Sequence, residues 1–244
     1  MADALFEDPR LAGVYDPLDP DRRDLDVYLA LADELGARSV LDLGCGTGTF
    51  ACALAARGID VTAVDPAAAS LEVAATKTGA DAVRWVHGDA TTLPPISVDA
   101  AFMTGNVAQV FVTSEEWSAT LHASHDALRP GGWLVFETRD PARRAWERWT
   151  PELTRTSAVV PGIGEVESWT EVTEVSEQLV TFRSTIAFRQ DEVVLEPVST
   201  LCFRERPELE ASRIGAGFDV VEVRDAPDRP GCELVFLARR AEAI

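Results

Sequence analysis

The sequence predicts an α/β fold: a doubly wound, mostly parallel seven-stranded sheet with helices on both faces, and an antiparallel β-sheet inserted after the fifth strand. Three observations predict it. Short apolar runs alternate with segments of helical period through the first 140 residues, the rhythm of strand–helix–strand units. From about Gly164 to Arg204 no helical period is present and strand-like stretches follow one another. The chain then returns to one helix and two adjacent strands.

The elements follow in order. After an acidic, proline-marked start, "DLDVYLALADELG" carries Leu25, Tyr28, Leu29, Ala32 and Leu35 at helical spacing. "SVLDLG" reads as a buried strand, and "TGTFACALAARG" as a helix stopped by Gly58. "DVTAVD" is the second strand, and "PAAASLEVAATKTG" a helix with Pro66 in its first turn. "AVRWVHGD" and "VDAAFMT" are the third and fourth strands. In "TSEEWSATLHASHDALRPGG", Thr113 and Glu116 have capping-box spacing, and Trp117, Leu121, His125 and Leu128 share one stripe. "WLVFET" is the fifth strand. "EVESWTEVTEV", "LVTFRSTIAF" and "VVLEPVSTLCF" read as three inserted strands, with Val180, Phe182, Ile186 and Phe188 on one face of the second. "RPELEASRIGAGF" is a helix, and "DVVEVRD" and "CELVFLARR" close the sheet. Residues 1–150 and 205–244 thus form one domain, and 151–204 the inserted sheet.

The 244 residues are 46% hydrophobic and 26% charged, enough to bury a substantial core. The net charge of −19 argues against a sequence-independent grip on nucleic acid and favours neutral or cationic small molecules. Lys77 is the one lysine. Cys45, Cys52, Cys202 and Cys232 form neither a CxxC pair nor a cluster with histidine, so no metal site or disulfide framework is expected. The polar N-terminus is unlike a signal peptide, and no apolar run reaches membrane-spanning length. A cytoplasmic protein without a membrane partner is expected.

The densest signal is "GCGTG". Gly44, Gly46 and Gly48 follow a strand and open a helix, a place where backbone can approach a ligand. The spacing lacks the third glycine of a dinucleotide fingerprint, since Thr49 follows Gly48, and a Walker loop would need a lysine. Such a loop can instead hold a carboxylate at the helix N-terminus. Asp65 ends the second strand, where an acid meets the ribose hydroxyls of an adenosine cofactor. Asp89 ends the third, placed to accept from an adenine amino group beside the backbone of Ala90.

On "VLDLGCGTG", Asp65, "GDA", "LRPGGWLVFE" and "AGFDVVEV…ELVFLARR", the sequence resembles the class I S-adenosylmethionine-dependent methyltransferases. The resemblance covers roughly Tyr15 to Glu137 and Pro207 to Arg240. It implies a Rossmann-like fold, S-adenosylmethionine as cofactor and S-adenosylhomocysteine as product. It further implies a cofactor site at Asp42, Gly44, Cys45, Gly46, Gly48, Asp65, Pro66, Asp89, Ala90, Gly105 and Asn106. "VYDPLDPDRRDLDVY" resembles the N-terminal segment that closes over the cofactor in small-molecule members; Tyr15, and after it Arg23, is the candidate there.

The acceptor pocket is expected beyond the fourth and fifth strands. "MTGNVAQVF" is not the Asn/Asp-Pro-Pro-aromatic motif of enzymes acting on DNA bases. Asn106 offers a donor and an acceptor, or only caps the turn. In "FETRDPARRAWERW", Glu137 could hold an amine or act as a base, and Arg139 could hold a substrate carboxylate; a salt-bridge network fits both equally. Trp146 and Trp149 could wall the pocket, and Trp169, Phe182 and Phe188 could line a lid or a homodimer interface. Of the histidines, His125 falls on a packed stripe, His122 faces solvent and His87 orders a turn. The leading expectation is methyl transfer to N or O of a small molecule. The alternatives are an NAD(P)-dependent oxidoreductase and a non-catalytic cofactor-binding protein.

Overall fold

Five parallel strands form the centre: β1 (Ser39–Leu43), β2 (Asp60–Asp65), β3 (Val83–His87), β4 (Val98–Met103) and β5 (Leu128–Arg139). The computed structural model describes residues 3–241. The order β3-β2-β1-β4-β5 continues into the antiparallel pair β12 (Glu233–Arg240) and β11 (Phe218–Asp225). β1 pairs in parallel with both β2 and β4, so the strand order reverses beside it. At such a switch point the loops diverge and leave a crevice outside the strand ends.

Both faces are covered, which explains the nearly continuous apolar runs. On one, Leu25 and Tyr28 of α3 (Asp24–Glu34) and Phe50 and Leu54 of α4 (Thr49–Ala56) pack on Val40, Val61 and Phe102. On the other, Trp117 and Leu121 of α6 (Ser114–Ala127) and Leu209 of α8 (Arg206–Gly215) pack on Leu41, Leu134 and Phe136. Phe136 stacks on Phe236 at 4.9 Å between ring centroids, locking β5 to β12. The capping box of α6 forms: Thr113 Oγ1 accepts from the Glu116 amide, and Glu116 Oε2 from the Thr113 amide. Among the described residues no helix is long and apolar enough to cross a membrane.

Two helices lie in the acidic start: α1 (Ala4–Glu7) and α2 (Pro9–Leu18). Gly13 and Pro17 obscure α2, since both weaken helix in isolation. It forms because Asp8 caps the Arg10 and Leu11 amides and because Leu11, Ala12 and Val14 are buried. Pro66 is not in the first turn of α5 (Ala68–Ala75); it stands before the N-cap residue Ala67.

The inserted sheet has five strands rather than three: β6 (Thr156–Val160), β7 (Gly164–Ser176), β8 (Leu179–Phe188), β9 (Val193–Leu195) and β10 (Val198–Cys202). α7 (Pro151–Thr154) precedes it. "VVLEPVSTLCF" divides into β9 and β10 at Pro197, which has no N–H for a ladder and whose carbonyl accepts from Ser184. β6 is an edge strand whose Thr156, Ser157 and Val159 are exposed, so it lacks the alternation that marks a half-buried strand. Val160, Val166, Ile186 and Phe188 pack against Leu11 and Val14, so α2 joins the insert to the rest of the chain.

Candidate functional site

The glycine loop leaves β1 and is shaped by positive φ at Gly44, Gly46 and Gly48 (71°, 52° and 78°). Their uses differ. A Cβ on Gly44 would lie 2.7 Å from Val107, and one on Gly48 2.4 Å from Trp85, so packing alone excludes a side chain at both. At Gly46, and at Gly105 after β4, a Cβ would meet nothing within 4 Å. These two positions border the open side of the crevice.

Asp65 ties the loop to β2. Its Oδ2 accepts from the Gly46 amide and its Oδ1 from the Ala67 amide, each at 2.8 Å. Each oxygen keeps a lone-pair direction for a hydroxyl donor. Beneath the loop Asp42 is 1% exposed, and neither of its oxygens has a hydrogen-bond partner. Burial, then the charge of Asp65, pushes its pKa up to about 7.

That elevation has a measurable sign. The unfolded Asp42 ionises near pH 3.8, whereas in the folded chain it stays protonated to about 7. Stability therefore falls as pH rises between these values. Asp42→Asn, which stays neutral, is expected to match the parent near pH 4 and to exceed it in ligand-free stability at pH 8. Urea unfolding at the two pH values checks this; a constant difference would show that Asp42 is ionised throughout.

The N-terminal helix is latched to the same loop. Lys77 Nζ lies 2.6 Å from Asp16 Oδ2 and donates to Thr49 Oγ1 at 2.5 Å, while Thr47 Oγ1 donates to Asp16 Oδ1 at 2.8 Å. The lysine near the loop is thus neutralised by Asp16. Tyr15 packs on Phe6 at 5.6 Å, and burial raises the pKa of its hydroxyl against the charge of Arg22. Arg23 does not reach the site: its side chain is 83% exposed and pairs with Asp21 at 2.5 Å. Arg22, one residue earlier, is the arginine whose charge bears on Tyr15, and it donates to Asp24 at 3.3 Å.

At the third strand, Asp89 is exposed and caps a short turn, accepting from the Thr91 amide at 2.8 Å; Ala90 beside it is buried. Cys45 is half-buried, and burial raises its thiol pKa, which leaves it a packing group. Pro66 is exposed at the rim, and its carbonyl meets His87 Nε2 at 3.1 Å.

Beyond β4 and β5 lies a buried polar network. Glu137 accepts from Tyr28 Oη, from the Gly105 amide at 2.5 Å and from the Asn106 amide at 3.2 Å. Burial raises the Glu137 pKa, with its donors acting against that and Glu233 adding to it. With three donors on its carboxylate, Glu137 clamps the β4 loop. Asn106 Nδ2 donates to Glu233 Oε1 at 3.2 Å, which also meets Arg229 at 2.7 Å and Arg139 Nε at 3.7 Å. Arg139 also donates to Gln109 Oε1 at 2.9 Å, and its guanidinium lies 5.4 Å from the Trp149 ring centre. Trp149 packs on Phe182, and Trp146 on Phe203.

Tyr28, Gln109, Arg229 and Glu233 escape the sequence reading. Tyr28 sits on an apolar helical stripe and reads as core. Glu233 does leave a signal: it is an acid opening an otherwise apolar strand, "ELVFL".

The residues fit a cationic, diol-bearing nucleoside better than a dinucleotide. The lysine beside the loop, the cation a phosphate would need, is already paired with Asp16, and Asp65 presents two acceptors to a ribose. Residues 40–132 match the family described as a methyltransferase domain. The fold is that of the class I S-adenosylmethionine-dependent methyltransferases. The chain is 38% identical over 109 residues to a cypemycin N-terminal methyltransferase from a Streptomyces species, covering 44% of each chain. The chain spans about half the length of the curated relatives it matches. Among solved structures, the CcbJ methyltransferase of Streptomyces caelestis superposes with a TM-score of 0.76 at 21% identity, covering 98% of this chain and 100% of that one. The sugar N-methyltransferase KedS8 from Streptoalloteichus superposes with a TM-score of 0.75 at 21% identity, covering 99% and 96%. Both coverages include the inserted sheet, so the methyltransferase fold extends through it.

Proposed function

We propose that the protein transfers the methyl group of S-adenosylmethionine to nitrogen or oxygen of a small-molecule acceptor. The observation that carries this is the glycine loop itself. It is open at Gly46, its amide is held by Asp65, and it lies over the unpartnered carboxylate of Asp42. When bound, the cofactor supplies a methyl carbon activated by its sulfonium, and what the protein must add is orientation and dryness.

The chain's own residues divide that work. Asp65 holds the ribose hydroxyls, and Asp42 offers its unpartnered oxygens to the cationic end. Asp89 and Ala90 border the adenine, and Gly105 lets backbone pass close to the methionine portion. Tyr15, on the latched α2, covers the opening. Trp146 and Trp149, backed by Phe203 and Phe182 of the insert, exclude water on the acceptor side. The insert serves the acceptor or a second copy of the chain rather than the cofactor. Hydride transfer is disfavoured because the loop lacks the third glycine of a dinucleotide fingerprint, and the intact cradle argues against a chain that has lost its cofactor.

The test is transfer of labelled methyl from S-adenosylmethionine into a metabolite extract cleared of macromolecules. Label is expected in a small organic product, with S-adenosylhomocysteine released in equal amount. Label entering only added protein or nucleic acid would contradict the proposal.

A further inference from the structure

The helices α1 and α2 are fastened to the rest of the chain in two chemically different ways. Towards the glycine loop and α5 the fastenings are polar. Glu7 Oε2 accepts from the Ala68 amide at 2.9 Å, and Ser70 Oγ donates to the Phe6 carbonyl at 2.9 Å. Asp16 holds Thr47 of the glycine loop on one oxygen at 2.8 Å and Lys77 on the other at 2.6 Å. Towards the inserted sheet the fastening is apolar. Leu11 and Val14 are 4% and 1% exposed and share one cluster with Val160, Val166, Ile186 and Phe188. Among the described residues, none of α1 or α2 joins the two clusters that pack the seven-stranded sheet. Arg10 adds to the same side, 3.9 Å from the Phe188 ring centre and paired with Asp191 at 2.8 Å.

That difference decides which side lets go. Water replaces partly exposed polar contacts at small net cost, whereas parting Leu11 and Val14 from the insert exposes apolar area. α2 therefore comes away from the glycine loop and stays with the insert. Some release is required for ligand exchange, because Asp65 is 7% exposed and Thr47 is 4% exposed and bound to Asp16. Asp19, Pro20 and Asp21 are exposed and lie in no helix or strand, so α2 can turn without dragging α3.

We infer that α2 is a strap coupling the cofactor crevice to the inserted sheet: it opens from the glycine loop together with the edge of the insert that it grips, and a bound cofactor, by holding it closed, fixes that edge; this rests on the methyl-transfer function proposed above. A ligand in the crevice favours the closed strap because it meets Tyr15 only when the neighbouring Asp16 is seated on Thr47. Lys77 is the positioning residue of the latch. It holds Asp16 and also donates to Thr49 Oγ1 at 2.5 Å, at the start of α4. The acceptor thus meets an ordered insert only after the cofactor is in place.

Amide hydrogen exchange of the full chain, with and without saturating S-adenosylhomocysteine, tests the coupling. In the wild type the ligand is expected to slow exchange by about 10-fold in α2, and also in β6 and the end of β8 at Ile186 and Phe188, which lie across α2 from the loop. Lys77→Met removes the charge and keeps the length of the side chain. It should release labelled S-adenosylhomocysteine about 10-fold faster in a chase, and lose the added protection of β6 and β8 while keeping that of the glycine loop. Asp16→Ala, the other half of the latch, should do the same. Val14→Ala loosens the grip on the insert instead, and should keep the protection of α2 while losing that of β6. Protection confined to the glycine loop in the wild type, or latch variants with unaltered release and exchange, would overturn the inference. A wild-type protein whose glycine loop gains no protection from S-adenosylhomocysteine would instead overturn the function on which it rests.

Discussion

Asp65→Ala is expected to weaken binding of S-adenosylhomocysteine by roughly 100- to 1,000-fold. A hydrogen bond to a charged group contributes about 1.5–3 kcal/mol, and two ribose hydroxyls lose their acceptor together. The same substitution frees the Gly46 and Ala67 amides, so the loop loses its shape as well as its contact. Gly46→Val separates the two causes. It leaves Asp65 in place and its Cβ meets nothing within 4 Å, yet it puts a branched side chain on the side open to the ligand. It should fold, at about 1–2 kcal/mol of backbone strain, and fail to bind. Titration calorimetry reads both variants, and an Asp65→Ala protein with wild-type affinity would remove Asp65 from the site.

The second large effect is on stability. Glu137→Leu is expected to destabilise the free protein by about 3–5 kcal/mol, because it strands the Tyr28 hydroxyl and two loop amides beside Glu233. For a chain of this size that lowers Tm by roughly 6–20 °C. Glu137→Gln keeps a carbonyl for the two amides and can donate to the tyrosine oxygen, so it should cost far less and retain most activity. Scanning calorimetry measures the first and a rate assay the second. A Glu137→Gln protein with normal Tm but no activity would show that the carboxylate does chemistry after all.

The parts of the molecule visible in the sequence are those where local pattern and tertiary role agree. The strands β1 to β5 are apolar on both faces because helices cover both, and the capping box of α6 is written in Thr113 and Glu116. Gly44, Gly46 and Gly48 stand out because positive φ disfavours other residues, but only the folded structure separates the two glycines needed for packing from the one left open to a ligand. α2 is hidden because its Pro17 and Gly13 oppose helix, and packing against the insert supplies what the segment lacks. The polar network was half visible. Glu137, Arg139 and Asn106 lie at the ends of recognisable strands. Their partners Tyr28, Arg229 and Glu233 are far away in sequence, so the clamp that Glu137 forms cannot be read from it. Arg23 shows the limit at the scale of one residue: in a loop without period, nothing local says whether Arg22 or Arg23 turns inward.

The most direct test of the cofactor assignment is thermal unfolding with S-adenosylmethionine, S-adenosylhomocysteine, NAD and NADP side by side. A ligand at about one hundred times its Kd adds roughly 2.7 kcal/mol to the folded state, enough to move Tm clearly. Stabilisation by S-adenosylmethionine and S-adenosylhomocysteine alone is the expected result. Stabilisation by NAD or NADP alone would contradict it and make the crevice a dinucleotide site.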